Sequence, residues 1–101
     1  MRVVHQPGRD QLDLAAVLYA LSDPTRLELV RRLAQEGERA CGTFDLDANK
    51  ATLSHHFKVL REAGLIHTRL EGVYRFISLR KQDLNARFPG LLKAVLAAAG
   101  R

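Results

Sequence analysis

The sequence predicts a mainly α-helical domain with a small β-hairpin, in the order helix, helix, helix, helix, strand, strand, helix. Apolar residues recur at helical spacing along most of the chain, and capping residues and glycines bound these stretches. From Ile66 to Leu79 the composition shifts to Thr, Val, Tyr, Phe and Ile around a central Glu71-Gly72, which is typical of a hairpin. The length of 101 residues suits one domain, expected at residues 11–99.

The first half of the chain begins with residues 1–10, which are polar, contain Pro7-Gly8 and are expected to form a flexible arm. A first helix is predicted over residues 11–21. Asp23 is then a suitable N-cap, and Pro24 a suitable first residue, for a second helix that ends at Gly37. The expected buried residues of the second helix are Leu27, Val30, Leu33 and Ala34.

The middle of the chain is expected to hold a short helix at Arg39–Phe44 and a turn at residues 45–49, with Phe44 and Leu46 buried. Asn49 is the predicted N-cap of a long helix over Lys50–Ala63, and Gly64 is placed to end it. The spacing of Leu53, Phe57 and Leu60 puts these three side chains on one inward face.

The last third is predicted to contain strands at Ile66–Leu70 and Val73–Leu79, then a helix that is interrupted near Pro89. An isolated hairpin is barely stable in water, so this one is expected to lean on the helices. A turn that sets one helix across another, followed by a basic hairpin, is typical of a winged helix-turn-helix.

The positive charge of the chain is concentrated in its second half. Residues 1–49 carry six Lys and Arg against eight Asp and Glu, whereas residues 50–80 carry six against two and residues 81–101 four against one. Two interpretations fit this pattern: an ordinary solvated basic surface, or a surface that binds a polyanion.

The outward face of the Lys50–Ala63 helix carries residues that can contact DNA. Side chains step by about 100° along a helix, so the predicted inward face leaves Lys50, Ser54, His55, Lys58 and Arg61 outside, with Thr52 near the N-terminal edge. Base edges in the major groove accept hydrogen bonds from Lys, Ser, Thr and His. We therefore expect base contacts from Lys50, Thr52, Ser54 and His55, and phosphate contacts from Lys58, Arg61, Arg69 and Arg75.

The adjacent histidines do not form a promising metal site, because neighbouring side chains on a helix diverge and chelating pairs stand three or four residues apart. His55 is expected to contact DNA, and His56 to brace the helix against its neighbours. The chain shows no spacing typical of catalytic residues, although Ser54 lies beside His55, and we do not expect an enzyme.

Cys41 is the single cysteine, so no intramolecular disulfide is possible, and a reducing cytoplasm is the expected location. No apolar run approaches the length needed to span a membrane. Cys41 has two interpretations, an inert structural thiol or a redox trigger whose pKa is lowered by a nearby helix start.

Three segments, ALSDPTRLELVRRLA, TLSHHFKVLREAGLI and RLEGVYRFISL, resemble the ArsR-type winged-helix transcriptional regulators. The resemblance covers residues 14–79. It implies a homodimer joined through the first and last helices, with the Lys50–Ala63 helix in the major groove and repression relieved by an effector. By position, Lys50, Ala51, Ser54 and His55 match the groove-facing residues of that family, and residues 69–73, including Gly72, match its wing tip.

The sequence departs from the family at the metal-sensing positions. Many members bind metals through paired cysteines on the short third helix or through Asp and His on the last helix. This chain has only Cys41 near the first location, and no Asp, Glu, His or Cys after Asp83. We therefore expect no metal or other cofactor, and the effector is unknown.

Many apolar side chains occupy the two ends of this small domain, which supports a homodimer independently of the resemblance. The candidate dimer residues are Leu14, Val17, Leu18, Leu21, Leu91, Leu92, Val95 and Leu96. The alternative is that they all serve the core of one chain. The sequence thus predicts a homodimeric repressor of transcription that binds a pseudo-palindromic operator in double-stranded DNA. The alternative function is a winged-helix protein-interaction module without DNA binding.

Overall fold

The structure is a computed structural model that describes residues 5–44 and 49–100. The expected turn after Phe44 and the expected burial of Leu46 lie outside the described residues. The helices are α1 (Leu14–Ala20), α2 (Pro24–Glu36), α3 (Lys50–Ala63), α4 (Lys81–Arg87) and α5 (Leu91–Ala99). The strands are β1 (Arg39–Ala40), β2 (Ile66–Glu71) and β3 (Tyr74–Leu79), and 3-10 turns lie at Arg9–Gln11 and Cys41–Thr43.

The fold is mainly helical with a small antiparallel sheet, as predicted, and α2, α3 and the β2–β3 hairpin are arranged as in a winged helix-turn-helix. The core is built from one face of each helix and the inner face of the hairpin, and α3 packs against α1, α2 and β2. Leu29, Val30, Leu33, Leu60, Ile66 and Ile77 are among its fully buried members.

Helix α3 has the boundaries that the sequence predicts. The Asn49 side chain accepts a hydrogen bond from the Thr52 backbone N–H at 2.8 Å, which satisfies one of the free donors at the helix start. At the other end, Gly64 adopts a left-handed conformation with φ of +89°, which glycine takes without steric cost. Phe57 and Leu60 are buried and Leu53 is half-buried, so the inward face is confirmed.

The short helix expected at Arg39–Phe44 is confirmed only in part, as the 3-10 turn at Cys41–Thr43. Arg39 and Ala40 instead form β1, which pairs antiparallel with Ile77 and Phe76 of β3, and the next three residues make a 3-10 turn. The described sheet therefore has the order β1–β3–β2. A two-residue strand has no periodicity of its own, because it exists only through pairing with a distant partner.

One other boundary differs from the expected one, and one agrees with it. The first helix begins at Leu14 rather than at residue 11, because the Asp13 carboxylate accepts the Ala16 N–H and acts as the N-cap. The interruption expected near Pro89 is confirmed, because helices α4 and α5 are separated by a turn that includes Pro89 and a left-handed Gly90.

The N-terminal segment from His5 to Gly8 lies against the domain, although the sequence favoured a free arm over residues 1–10. The Gln6 side chain donates to the Thr68 carbonyl at 3.0 Å and accepts from the Thr68 N–H at 2.6 Å. Arg80 donates to the Pro7 carbonyl at 2.7 Å. These bonds attach the segment to the outer edge of β2 and to the end of β3.

Candidate nucleic-acid interface

The N-terminal half of α3 exposes the side chains that the sequence assigned to base contacts. Lys50, Ala51, Thr52, Ser54 and His55 are all exposed, and no described part of the chain covers them. The N-terminus of a helix carries a partial positive charge and free N–H groups, which favour an approaching anion. This half of α3 is therefore free to lie against a duplex.

The C-terminal half of α3 is less accessible. Lys58 is exposed, whereas Arg61 is half-buried, and its Nε donates to the His5 carbonyl at 3.2 Å. Only part of the Arg61 guanidinium thus remains available for a phosphate.

The two hairpin arginines lie on opposite faces of the sheet, because side chains alternate along a strand and Arg75 is paired with Leu70 while Arg69 is paired with Phe76. Arg75 is exposed and shares a groove with Lys50 and Ser54. Arg75 therefore belongs to the same surface as the N-terminal half of α3, and Gly72 lies exposed at the hairpin turn beside it.

Arg69 is engaged by acidic neighbours. Its Nη2 lies 2.9 Å from Glu38 Oε1, its Nη1 contacts Glu71, and its guanidinium lies 4.6 Å from the centroid of the Phe76 ring. Hydrogen bonding to Arg69 lowers the pKa of the Glu38 carboxyl. The positive charge of Arg69 is thus largely balanced by residues of its own chain.

A buried arginine connects α2 to α3. Arg26 is only 5 % exposed, and its Nε donates to the Ala20 carbonyl at 2.6 Å. Its Nη1 lies 3.2 Å from His56 Nδ1, and because a guanidinium only donates, this ring nitrogen accepts. His56 thus braces α3 from within, as predicted.

Asp23 completes this connection. Its carboxylate lies 3.8 Å from His56 Nδ1 and accepts the backbone N–H groups of Thr25 and Arg26 at the start of α2. Burial opposes its ionisation, but the hydrogen bonds from the Arg26 and Thr25 N–H groups and the positive charge around it together lower the pKa of Asp23. This carboxylate therefore caps α2 and lies beside the contact between Arg26 and His56.

The sequence did not reveal Arg26 or Glu38 as members of this region. Arginine is usually a surface residue, so burial of Arg26 is visible only once α1, α2 and α3 are packed. Glu38 meets Arg69 across 31 residues of sequence. The only signal in the sequence is the segment DPTR, in which the N-cap Asp23 stands three residues before Arg26, close enough for both to lie at the start of α2.

The histidine pair has the predicted orientation. His56 is buried and His55 is exposed, and their ring centroids lie 5.9 Å apart with the ring planes inclined by 51°. Among the described residues, no three His, Cys, Asp or Glu side chains are grouped so as to hold a metal ion.

Cys41 differs from the redox-trigger expectation. Burial raises the pKa of its thiol, and the positive charges of Arg75 and Lys50 offset this effect only in part. Of the two interpretations of Cys41, the raised pKa favours the inert structural thiol. A half-buried thiol with a raised pKa is a poor nucleophile at neutral pH.

The candidate dimer residues fall into three groups by exposure. Val17, Leu21 and Leu92 are buried in the core of the single chain, so they have little surface to offer a partner. Leu91, Val95 and Leu96 of α5 are half-buried, whereas Leu14 and Leu18 of α1 are 46 % and 47 % exposed. The neighbouring Tyr19, which was not among the candidate dimer residues, is 65 % exposed.

None of the described helices is long and apolar enough to cross a membrane.

Comparison with known proteins agrees with this geometry. Residues 21–69 match a family described as a helix-turn-helix domain. Over 84 residues the chain is 40 % identical to the HTH-type transcriptional regulator YceK of Bacillus subtilis, covering 80 % of this chain and 84 % of that protein. It is 31 % identical over 84 residues to the arsenical resistance operon repressor of the same organism, covering 81 % and 76 %.

A solved structure has the same fold. The crystal structure of an ArsR family transcriptional regulator superposes with a TM-score of 0.67 at 24 % sequence identity, covering 87 % of this chain and 98 % of that one. A second, described as a possible transcriptional regulator for arsenical resistance, has a TM-score of 0.60 at 30 % identity, covering 85 % and 84 %.

Proposed function

Because this chain belongs to the ArsR-type family of helix-turn-helix transcriptional regulators, we propose that it represses transcription by binding a pseudo-palindromic operator as a homodimer. The observation that carries this proposal is the exposed N-terminal half of α3, with Lys50, Ser54 and His55 turned away from the core. A major groove admits one α-helix, and these side chains then meet base edges.

The phosphate contacts are proposed to be unequal. Arg75 and Lys58 are exposed, and neither has an ion-pair partner among the described residues, so both can neutralise phosphates. Arg69 must give up its contacts with Glu38 and Glu71 to do so. Arg61 can offer only the part of its guanidinium that does not contact the His5 carbonyl. We therefore assign more of the electrostatic affinity to Arg75 than to Arg69.

The dimer that we propose depends on α1 and α5. Leu14 and Leu18 stand one helical turn apart on α1 and are about half exposed, and Tyr19 beside them is 65 % exposed, so α1 offers apolar surface that a second chain can cover. In a two-fold dimer the α3 helices then reach half-sites about one helical turn of DNA apart. Leu18→Glu is expected to yield a monomer by light scattering while the far-UV circular dichroism is retained. A Leu18→Glu chain that stays dimeric would place the interface elsewhere.

The test starts by selecting genomic fragments with the purified chain, which yields the operator, and continues with fluorescence anisotropy on a labelled duplex. Arg75→Ala should weaken binding to operator and unrelated duplex alike, and lower the slope of log K against log salt by about one. Arg69→Ala, the matched arginine on the other face, should lower it less. His55→Ala should instead reduce the ratio between operator and unrelated DNA.

Two results would contradict the proposal. Equal losses for Arg69→Ala and Arg75→Ala would remove the assigned division of roles. An intact dimer that retards no duplex at low salt would instead favour a winged-helix module that binds another protein.

A cytoplasmic location is part of the proposal, since the operator lies there.

A further inference from the structure

A half-open groove lies between the N-terminal half of α3, the 3-10 turn at Cys41–Thr43 and the tip of the hairpin. Its volume is about 820 Å³. Pockets for small organic molecules typically measure about 300–1,000 Å³ and combine apolar walls with a few polar groups. The groove therefore has the size of a ligand site, although the operator contacts do not require one.

About half of the groove surface is apolar. Phe44, Leu53 and Phe57 line it from the helical side, and the Phe44 and Phe57 rings lie 5.5 Å apart in a tilted arrangement. Val73 lines it from the hairpin and is 92 % exposed. A valine left this open to water gains free energy when an apolar group covers it.

The polar groups at the groove are cationic. Lys50 and Arg75 both line it, and both act electrostatically on the Cys41 thiol, which lines it as well. Among the residues that the structure describes, no carboxylate lines the groove or pairs with either cation. On the opposite face of the sheet, by contrast, Arg69 has two acidic partners. Within residues 5–44 and 49–100, the groove thus offers two positive charges without an acidic partner, beside an apolar surface.

We propose that this groove binds a small organic anion with an apolar body, such as a medium-chain or aromatic carboxylate. The carboxylate lies between Lys50 and Arg75, with the Ser54 hydroxyl nearby, and the hydrocarbon covers Leu53 and Val73. Since Lys50, Ser54 and Arg75 are also proposed DNA contacts, the anion and the operator exclude each other. This consequence depends on the proposed function, whereas anion binding itself does not.

Isothermal titration calorimetry measures the binding directly, and Tyr74 fluorescence supplements it, because the Tyr74 ring contacts Phe76 on the face of the hairpin opposite Arg75. The chain has no tryptophan and only two tyrosines, of which Tyr74 lines the groove and Tyr19 lies on α1. In a Tyr19→Phe chain, Tyr74 is the single strong fluorophore. Titration with octanoate should change the Tyr74 emission until the site is saturated. Acetate lacks the apolar body and octylammonium reverses the charge, so each should bind at least about tenfold more weakly than octanoate.

Two substitutions localise the site. Arg75→Ala in the same background should weaken octanoate binding about tenfold, the usual cost of losing a hydrogen bond between charged groups. Lys81→Ala is the matched control, because it removes an exposed cation at the far end of the hairpin, and it should leave octanoate affinity unchanged. Circular dichroism confirms that each variant is folded.

The outcomes separate this proposal from the proposed function. No change in Tyr74 emission and no heat in calorimetry up to about 10 mM octanoate would overturn the groove site, given that apolar anions of this size bind such pockets at millimolar levels or better. Equal binding of octanoate and octylammonium, or equal binding by the Arg75→Ala chain, would overturn it too. If octanoate binds as expected but no duplex does, the groove site stands and the proposed function fails. If both bind, octanoate must release the labelled operator, and simultaneous binding would refute the exclusion.

Discussion

Replacing Gly64 by alanine should destabilise the domain through a defined steric contact. A Cβ atom built on Gly64 lies 2.0 Å from Leu12 Cδ2 and 3.3 Å from Pro7 Cγ. Leu12 is only 2 % exposed, so its side chain has little room to move away. The substitution therefore presses the end of α3 against the segment that precedes α1.

The size of the effect has two parts. A left-handed alanine costs about 1–2 kcal/mol, and a methyl group forced into a packed site costs typically about 1–3 kcal/mol more. Gly64→Ala should thus lower the free energy of unfolding by about 2–5 kcal/mol. Gly90→Ala is the matched control, because Gly90 has a similar φ of +84° but no atom within 4 Å of its Cβ position, and it should lose only the first part.

The assay is urea unfolding followed by far-UV circular dichroism. A Leu12→Ala chain supplies a second test. On that background the contact with Leu12 is gone and only the longer one with Pro7 remains, so the further loss from Gly64→Ala should fall close to that of Gly90→Ala. If Gly64→Ala and Gly90→Ala differ by less than about 0.5 kcal/mol in the original chain, the steric reasoning is refuted.

The remaining predictions concern α3 and α2. Asn49→Ala removes the side chain that caps α3 by accepting the Thr52 N–H, and it should lower the free energy of unfolding in urea by about 1 kcal/mol. Asn49→Asp keeps an acceptor and should lower it much less. Hydrogen bonds from Arg31 and Arg32 lower the pKa of Glu28 to about 2. This carboxylate therefore stabilises the fold above pH 4.5, and the contribution disappears as the pH falls toward 2. Glu28→Gln should lose about 0.5–1 kcal/mol at pH 6 but almost nothing at pH 2, and a difference that persists at pH 2 would contradict the assignment.

Helix α3 and the hairpin could be predicted because their determinants are local. Asn49 and Gly64 act within one turn of the helix that they bound, and Leu53, Phe57 and Leu60 repeat at its own period. For the same reason the sequence sufficed to put Lys50 and His55 on the outer face, on which the candidate interface depends.

The parts that the sequence did not predict depend on contacts between distant segments. Strand β1 forms because Arg39 and Ala40 meet β3, and the charge of Arg69 is balanced because Glu38 happens to lie beside it. Val17 and Leu92 have the same periodicity whether they face a partner chain or the core, so only packing of the single chain decides between the two.

The contact between Gln6 and Thr68 also bears on how the sheet avoids pairing with other molecules. Strand β2 lies at the border of the described sheet, where an unpaired backbone would invite a strand from a second molecule. The primary amide of Gln6 has the same donor and acceptor as a peptide group, and it occupies the place that such a strand would take. A chain in which this glutamine is displaced would therefore tend to aggregate through an intact sheet before it loses any helix.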